Sequence, residues 1–427
     1  MRKLTPRLLI GTSLLSLCLA TPAVGETLPE AISAAFSTNP QLEIERYSTE
    51  IARQNLQAAR GAGRPTADLS ATGGYQYVDT NSPFAFNLGD QPIATAQLQI
   101  IQPLYTGGKI AAGIRQAEAG INSADLGFQA ARQDLTLQVI TSYMDVVRDR
   151  EAVSIRQNNV DVTGEQVRAA QDRFDVGVVT RTDVAQAQAR LEGARASLAG
   201  AEATLQASEA NYQFLTGMRP GDLAPPPPIP PLPANIDDAI ASAIKDNPTI
   251  ASARADLRAA EAGVDSAKAD GRPQVSIVGA AGIQETYGQD STVSNSSVSA
   301  IAQARIPLLT GGVVKAQTEG AKLRREQARR FVDSLETQVR AQVTQAWFSY
   351  EASVRAIEAS RRQVEAAEIA YEGAQEELAV GVRSTLDALD QEQQLFEARL
   401  ALVAAERDAY VAAHNLLRAT GALGTIG

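Results

Sequence analysis

The sequence predicts a membrane protein of mixed α and β structure, in which barrel-type strands alternate with long coiled-coil helical hairpins. Three observations predict it. The chain repeats itself at an offset of a little over 200 residues, each copy holds two segments of strict apolar–polar alternation, and each copy holds a very long helical run that folds back on a heptad-patterned partner.

The repeat is read from landmarks in a conserved order along the chain itself. Asn39-Pro40 returns as Asn247-Pro248 and Gly63-Arg64-Pro65 as Gly271-Arg272-Pro273, both at an offset of 208. From there the offset is 204: Pro103-Leu104-Tyr105-Thr106-Gly107-Gly108 answers Pro307-Leu308-Leu309-Thr310-Gly311-Gly312, Val176-Gly177-Val178 answers Val380-Gly381-Val382, Asp183 answers Asp387, and Thr216-Gly217 answers Thr420-Gly421. The expected organisation is a signal peptide over residues 1–25, a first repeat over 26–222, a proline-rich linker over 223–234 and a second repeat over 235–427.

The signal reading rests on a basic start (Arg2, Lys3, Arg7), an apolar stretch from Leu8 to Ala20 and the small residues of Ala23-Val24-Gly25. Cys18, the only cysteine, lies inside the apolar stretch after Leu17, where a lipid-modified cysteine would want a small residue before it. The expected mature chain therefore has no disulfide, no thiolate metal site and no cysteine nucleophile. Losing three basic residues takes the formal net charge from −10 to about −13, which argues against nucleic-acid partners. After the signal no run of about 20 apolar residues follows, so no transmembrane helix is expected.

Each copy opens with a helix, about 40–60 and 248–270, begun by proline near the first turn and ended by the Gly-Arg-Pro triplet. Strands are then expected over 66–78 and 93–104, and over 274–286 and 297–308. Leu69, Ala71, Gly73, Tyr75 and Tyr77 make one file of the first strand, and Asp68, Ser70, Thr72 and Gln76 the other. Polar connections such as Asp79-Thr80-Asn81-Ser82-Pro83 join the paired strands. One small apolar file and one polar file, over about ten residues, is the pattern of a strand with lipid on one side and water on the other.

Beyond each Gly-Gly the composition is helical for more than 60 residues, on the order of 90–100 Å of helix. Past Gly177 and Gly381 the chain runs back with large and small residues alternating in heptads. Val184, Leu191, Leu198, Leu205 and Tyr212 recur every seven, with Ala187, Ala194, Ala201 and Ser208 between them; Leu395/Ala398, Leu402/Ala405 and Ala409/Ala412 continue the seam in the second copy. The two glycines then mark the tips of antiparallel hairpins. Between the copies, Pro225 to Pro233 form an extended spacer. Four strands cannot close a barrel, for which about eight is the minimum, and open strand edges are not tolerated in lipid. Self-association is therefore required; two copies would supply eight strands and three would supply twelve.

With these features in place the chain resembles the TolC family of outer membrane export channels along essentially all of its mature length. The resemblance rests on the Asn-Pro pairs, on Gln102-Pro103-Leu104-Tyr105-Thr106-Gly107-Gly108 and on Arg173-Phe174-Asp175-Val176-Gly177-Val178-Val179-Thr180-Arg181-Thr182-Asp183-Val184. It implies a homotrimer with one twelve-stranded transmembrane β-barrel in the outer membrane of a Gram-negative envelope and a helical tunnel through the periplasm. It also implies docking to a periplasmic adaptor (a membrane fusion protein) and an inner-membrane transporter, for efflux of small molecules, type I secretion of proteins, or both. Asp387 and Asp390 fall at the family's constriction; Asp183, Thr182 and Arg383 fall at the link that latches the closed state; Val176, Gly177, Val178, Val380, Gly381 and Val382 fall at the tips that adaptors grip. Leu378 stands where some members have a tyrosine of the closing network. The absence of a lipid-anchor cysteine leans towards type I secretion.

Asp387 and Asp390 are three residues apart and share a helix face. In a threefold ring they would concentrate negative charge, favouring bound cations. Two acids early in a helix also serve as ordinary N-terminal charges; against that, the first copy has Asp183 but Gln186 and Ala187 where a second acid would stand. Catalysis is not expected. His414, the only histidine, lies in a helical run far from the acids, and paired carboxylates on one helix lack a sugar-binding cleft. No metal and no cofactor are expected. The competing reading is a periplasmic coiled-coil adaptor, which would not carry four lipid-patterned strands.

Overall fold

The structure, a computed structural model, describes residues 25–78, 89–287 and 292–425. The expected signal peptide up to residue 24 and the turn at 79–83 lie outside the described residues. The first copy runs α1 (Leu28–Thr38), α2 (Pro40–Gly61), β1 (Thr66–Val78), β2 (Gly89–Tyr105), α3 (Lys109–Asp175), α4 (Arg181–Thr216). The second repeats it as α5 (Ile236–Asp246), α6 (Pro248–Ala269), β3 (Gln274–Tyr287), β4 (Thr292–Arg305), α7 (Val313–Ala379), α8 (Thr385–Thr420), and a short 3-10 turn closes it at Ala422–Thr425.

The Asn-Pro landmark is a helix start. Asn39 Oδ1 accepts the Gln41 amide at 2.9 Å and Asn247 Oδ1 the Thr249 amide at 2.9 Å, while the following proline fills the first helical position, where no donor is needed. Helices α1 and α5 go beyond the sequence expectation, which began each copy at the Asn-Pro pair. Their signal was present in the caps: the Thr27 amide donates to Glu30 at 2.8 Å, and Asn235 Oδ1 accepts the Asp238 amide at 2.8 Å.

The strands form one antiparallel sheet in the order β1-β2-β3-β4. Directly opposed residues share a face, so the register sorts the side chains. Leu69, Leu98, Ala281 and Val298 form one row across all four strands, and Ala67, Ile100, Gly279 and Ala300 another. On the opposite face stand Asp68, Gln99, Ala280 and Ser299, and Ser70, Gln97, Gly282 and Ser297. Among the described residues the apolar face meets no covering layer: Leu69 is 75% exposed and Val298 87%. Two bounds need correcting. β2 begins at Gly89 rather than 93, and β4 spans Thr292–Arg305 rather than 297–308. Ser294 and Asn295 pair in register with Glu285 and Gln284 although they offer no apolar file, because ladder hydrogen bonds come from the backbone; Ile306 and Leu308 look strand-like but flank Pro307, which has no N–H to donate.

α3 and α7 have 67 residues each, about 100 Å of helix. The core gathers midway along them. Leu28, Ala31, Ile32 and Ala35 of α1 pack with Val139, Ile140 and Tyr143 of α3 and Tyr212 and Leu215 of α4. Ala239 and Ala243 of α5 pack with Val339, Val343 and Ala346 of α7 and Leu416 of α8. Leu232 of the proline-rich linker packs against both clusters, so the spacer lies on the core. The Tyr143 hydroxyl donates to the Ala224 carbonyl at 2.5 Å, and Tyr212 to Glu26 at 2.6 Å. Burial pushes the Tyr143 phenol up to about 12. Ion pairs cross between the copies along this shaft, Lys109–Asp270 at 2.6 Å, Arg407–Asp145 at 2.8 Å and Arg418–Asp134 at 2.6 Å.

Candidate functional site at the hairpin tips

The two long hairpins turn over at matching tips. In the first, the Gly177 amide donates to the Phe174 carbonyl (2.9 Å) and the Val178 amide to Arg173 (2.8 Å). In the second, Gly381 donates to Leu378 (3.1 Å) and Val382 to Glu377 (2.9 Å). This pair of bonds closes a helix C-terminus only if the residue between has left-handed backbone. Both glycines have φ of 78°, where a side chain would be strained. The flanking valines stand in solvent: Val176, Val178, Val380 and Val382 are each more than 70% exposed.

The returning helices start with matching caps. Asp183 accepts from both the Thr180 amide and the Thr180 hydroxyl, each at 2.8 Å. Those two hydrogen bonds hold its carboxyl below the ordinary aspartate value, the backbone one contributing more. In the second copy the Ser384 hydroxyl donates to Asp387 at 2.7 Å and accepts the Asp387 amide at 3.2 Å. Asp387 thus has a capping task as well as its place at the tip.

The latch expected between Asp183 and Arg383 is not formed within the chain. Arg383 Nε binds Glu377 at 2.7 Å, across the turn of its own hairpin, and Asp183 is engaged by Thr180. A partner six residues away across a tight turn is reached at little entropic cost, and a carboxylate already accepting two hydrogen bonds gains less from a distant arginine. Thr182 is exposed beside Asp183 on the first hairpin. Near the tips, the hairpins are joined instead by Arg190 of α4 with Asp390 of α8. Its partners are 40% and 46% exposed. Sequence reasoning placed Asp390 but missed Arg190; its signal was the repeat, since Arg190 is matched by Gln394 and Asp390 by Gln186.

Asp387, Asp390 and Arg383 come together with Glu377, Gln391 and Gln394 around a polar recess of about 490 Å³. Two residues beyond Asp390, Glu392 is buried near Tyr371 of α7, with neither carboxylate oxygen hydrogen-bonded among the described residues. Burial pushes its carboxyl up to about 7. Sequence reasoning missed this residue too. His414 lies in the shaft, buried, with Nδ1 2.8 Å from the Tyr410 carbonyl and its ring 4.4 Å from the Tyr410 ring.

A family model for outer membrane efflux proteins matches residues 31–218 and again residues 239–422. Outer membrane efflux protein BepC of Brucella suis biovar 1 is 32% identical over 93% of this chain and 86% of its own length. Outer membrane protein TolC of Escherichia coli K12 is 25% identical over all of this chain and 87% of its own length. The crystal structure of the Campylobacter jejuni CmeC outer membrane channel superposes with a TM-score of 0.80 at 18% identity, covering 92% of this chain and 85% of that one.

Proposed function

Since this chain belongs to the outer membrane efflux protein family, and is therefore a channel-tunnel of the outer membrane, we propose that it works as a homotrimer in a tripartite export system. Three copies close one twelve-stranded barrel in lipid, and six helical hairpins form a tunnel through the periplasm. The observation that supports this reading is the sheet: among the described residues it has four strands, one apolar face without a covering layer, and outer strands β1 and β4 each paired on one side only. In lipid those edges must be paired, and pairing β4 with β1 of the next copy does so in the antiparallel sense already used within the chain. A periplasmic adaptor has no use for such a sheet.

The exposed valines around Gly177 and Gly381 are the docking points for a periplasmic adaptor, which brings an inner-membrane transporter beneath the tunnel; apolar residues held at a rigid tip are suited to a protein partner. Proteins, small molecules or both pass through. The chain is a conduit and carries out no catalysis. At the mouth, Asp387 lines the constriction, where three symmetry-related carboxylates favour cations. Asp390 belongs both to that constriction and, through Arg190, to the link between hairpins.

Two measurements on purified protein test this. Unboiled protein should migrate as a trimer that collapses to monomer on heating, and planar-bilayer recordings should give a cation-selective pore blocked by multivalent cations. Asp387→Asn should weaken that block several-fold. Monomers at all temperatures, or a pore indifferent to Asp387, would refute the assembly or the constriction respectively.

A further inference from the structure

We propose that Glu392 is a proton-controlled wedge in the α7–α8 coil: it is neutral while the coil is wound tight above the mouth and ionised when the coil loosens, so that rising pH favours the loosened, open mouth. The proposal rests on the reading of the tips as the tunnel mouth.

The geometry is that of an unsatisfied buried acid. Two residues turn an α-helix by about 200°, so where Asp390 reaches α4, Glu392 is turned away from it and into α7. It is 3% exposed, and both carboxylate oxygens are buried without a hydrogen-bond partner among the described residues. Gln375 of α7, which faces Tyr371, has a buried amide nitrogen that gives Glu392 no hydrogen bond. This burial is complete within one copy, so a neighbouring copy cannot supply the missing partner. An unpaired buried carboxylate is costly when ionised, and the usual relief is to keep the proton.

The groups around it do not provide a counter-charge. From α7 comes Tyr371, whose phenol is raised by burial first and by Glu392 second. Arg399 of α8 is already bound to Glu368 of α7 at 2.8 Å, and Arg190 of α4 to Asp390. Burial is the one cause raising the Glu392 carboxyl, from 4.5 to about 7. The first hairpin lacks the device: the position matching Glu392 is Gln188, exposed.

The direction follows from linkage. A carboxyl that binds its proton more tightly in the wound state favours that state fully below 4.5, the value it regains when the coil loosens. As pH rises towards about 7 the loosened state gives up its proton first. In each copy, every pH unit in that window moves the balance towards loosening by about tenfold, and above the window the shift levels off.

The test pairs a functional and a structural readout. In planar bilayers the open fraction of the full-length wild-type channel should rise steeply between pH 5 and 7 and then flatten, while Glu392→Gln should stay closed and flat. Spin labels at the exposed positions Ala370→Cys and Glu397→Cys report the α7–α8 separation whether or not a pore forms; they should show a widening with pH in wild type that Glu392→Gln abolishes. A wild-type coil that does not change over this range, or a change that survives Glu392→Gln, overturns the wedge. A pore that never appears while the labelled coil still responds counts against the channel reading and upholds the wedge.

Discussion

The two hairpin tips are alike in backbone and unlike in charge. Both end their long helix on a glycine at φ 78°, with the same two closing hydrogen bonds, and both restart on a hydroxyl residue with an aspartate three positions on. The first tip has Arg173, Val179, Gln186, Gln188 and Arg190; the second has Glu377, Arg383, Asp390, Glu392 and Gln394 in their places. What the copies share makes the turn. What they do not share makes an internal brace (Glu377–Arg383), a bond to the other hairpin (Arg190–Asp390) and a buried acid, all depending on acids of the second copy. The backbone makes the two tips equivalent, and the charges alone set the second apart.

The sharpest way to break the comparison is to remove the bond between hairpins. A half-exposed ion pair contributes about 0.5–1 kcal/mol, and three per trimer about 1.5–3 kcal/mol. Arg190→Ala should therefore raise the open-to-closed ratio roughly tenfold to a hundredfold in single-channel recordings. Exchange of the two charges, Arg190→Asp with Asp390→Arg, should recover much of the closure. If Arg190→Ala gates as wild type does, the Arg190–Asp390 bond is not a latch.

Smaller, and expected to be equal at the two tips, is the effect of the glycines. Gly177→Ala and Gly381→Ala each force a side chain into left-handed backbone at a cost of about 1–2 kcal/mol. Matched losses in denaturant midpoint would sharpen the equivalence, and a large disparity would break it.

The smallest effects belong to the caps, where Thr180→Ala and Ser384→Ala should each cost about 1 kcal/mol. Asp183 adds a pH signature. Its carboxyl is held below the ordinary value, so its contribution is present above about pH 4 and lost as pH falls through the folded-state value. Protection from hydrogen exchange at the start of α4, taken relative to the intrinsic rate at each pH, should fall on acidification, and Asp183→Asn should remove that dependence.

Much of the fold was legible because it rests on periodic or local signals. Alternation along Leu69–Tyr77 encodes which face of the sheet is apolar, heptads from Val184 to Tyr212 encode which face of α4 is covered, and Gly381 encodes a turn that other residues resist. The misses have physical reasons. β4 begins in a polar stretch where the ladder is independent of side chains, and α1 and α5 are short helices set by caps. Whether Arg383 takes Asp183 or Glu377 within one copy is a choice of geometry, which charge sign and spacing do not distinguish.

By itself the sequence determined the duplication, the alternation of strand hairpin and helical hairpin, the tips and the need for more than one copy, since each follows from period, length or the backbone's unmet hydrogen bonds. Only the tertiary structure decided that Arg190 takes Asp390, that Arg383 takes Glu377, and that Glu392 is enclosed without a partner among the described residues. These depend on which faces of α4, α7 and α8 meet at one height of the shaft. That height is set by the packing of residues up to 200 positions apart, and no local pattern records it.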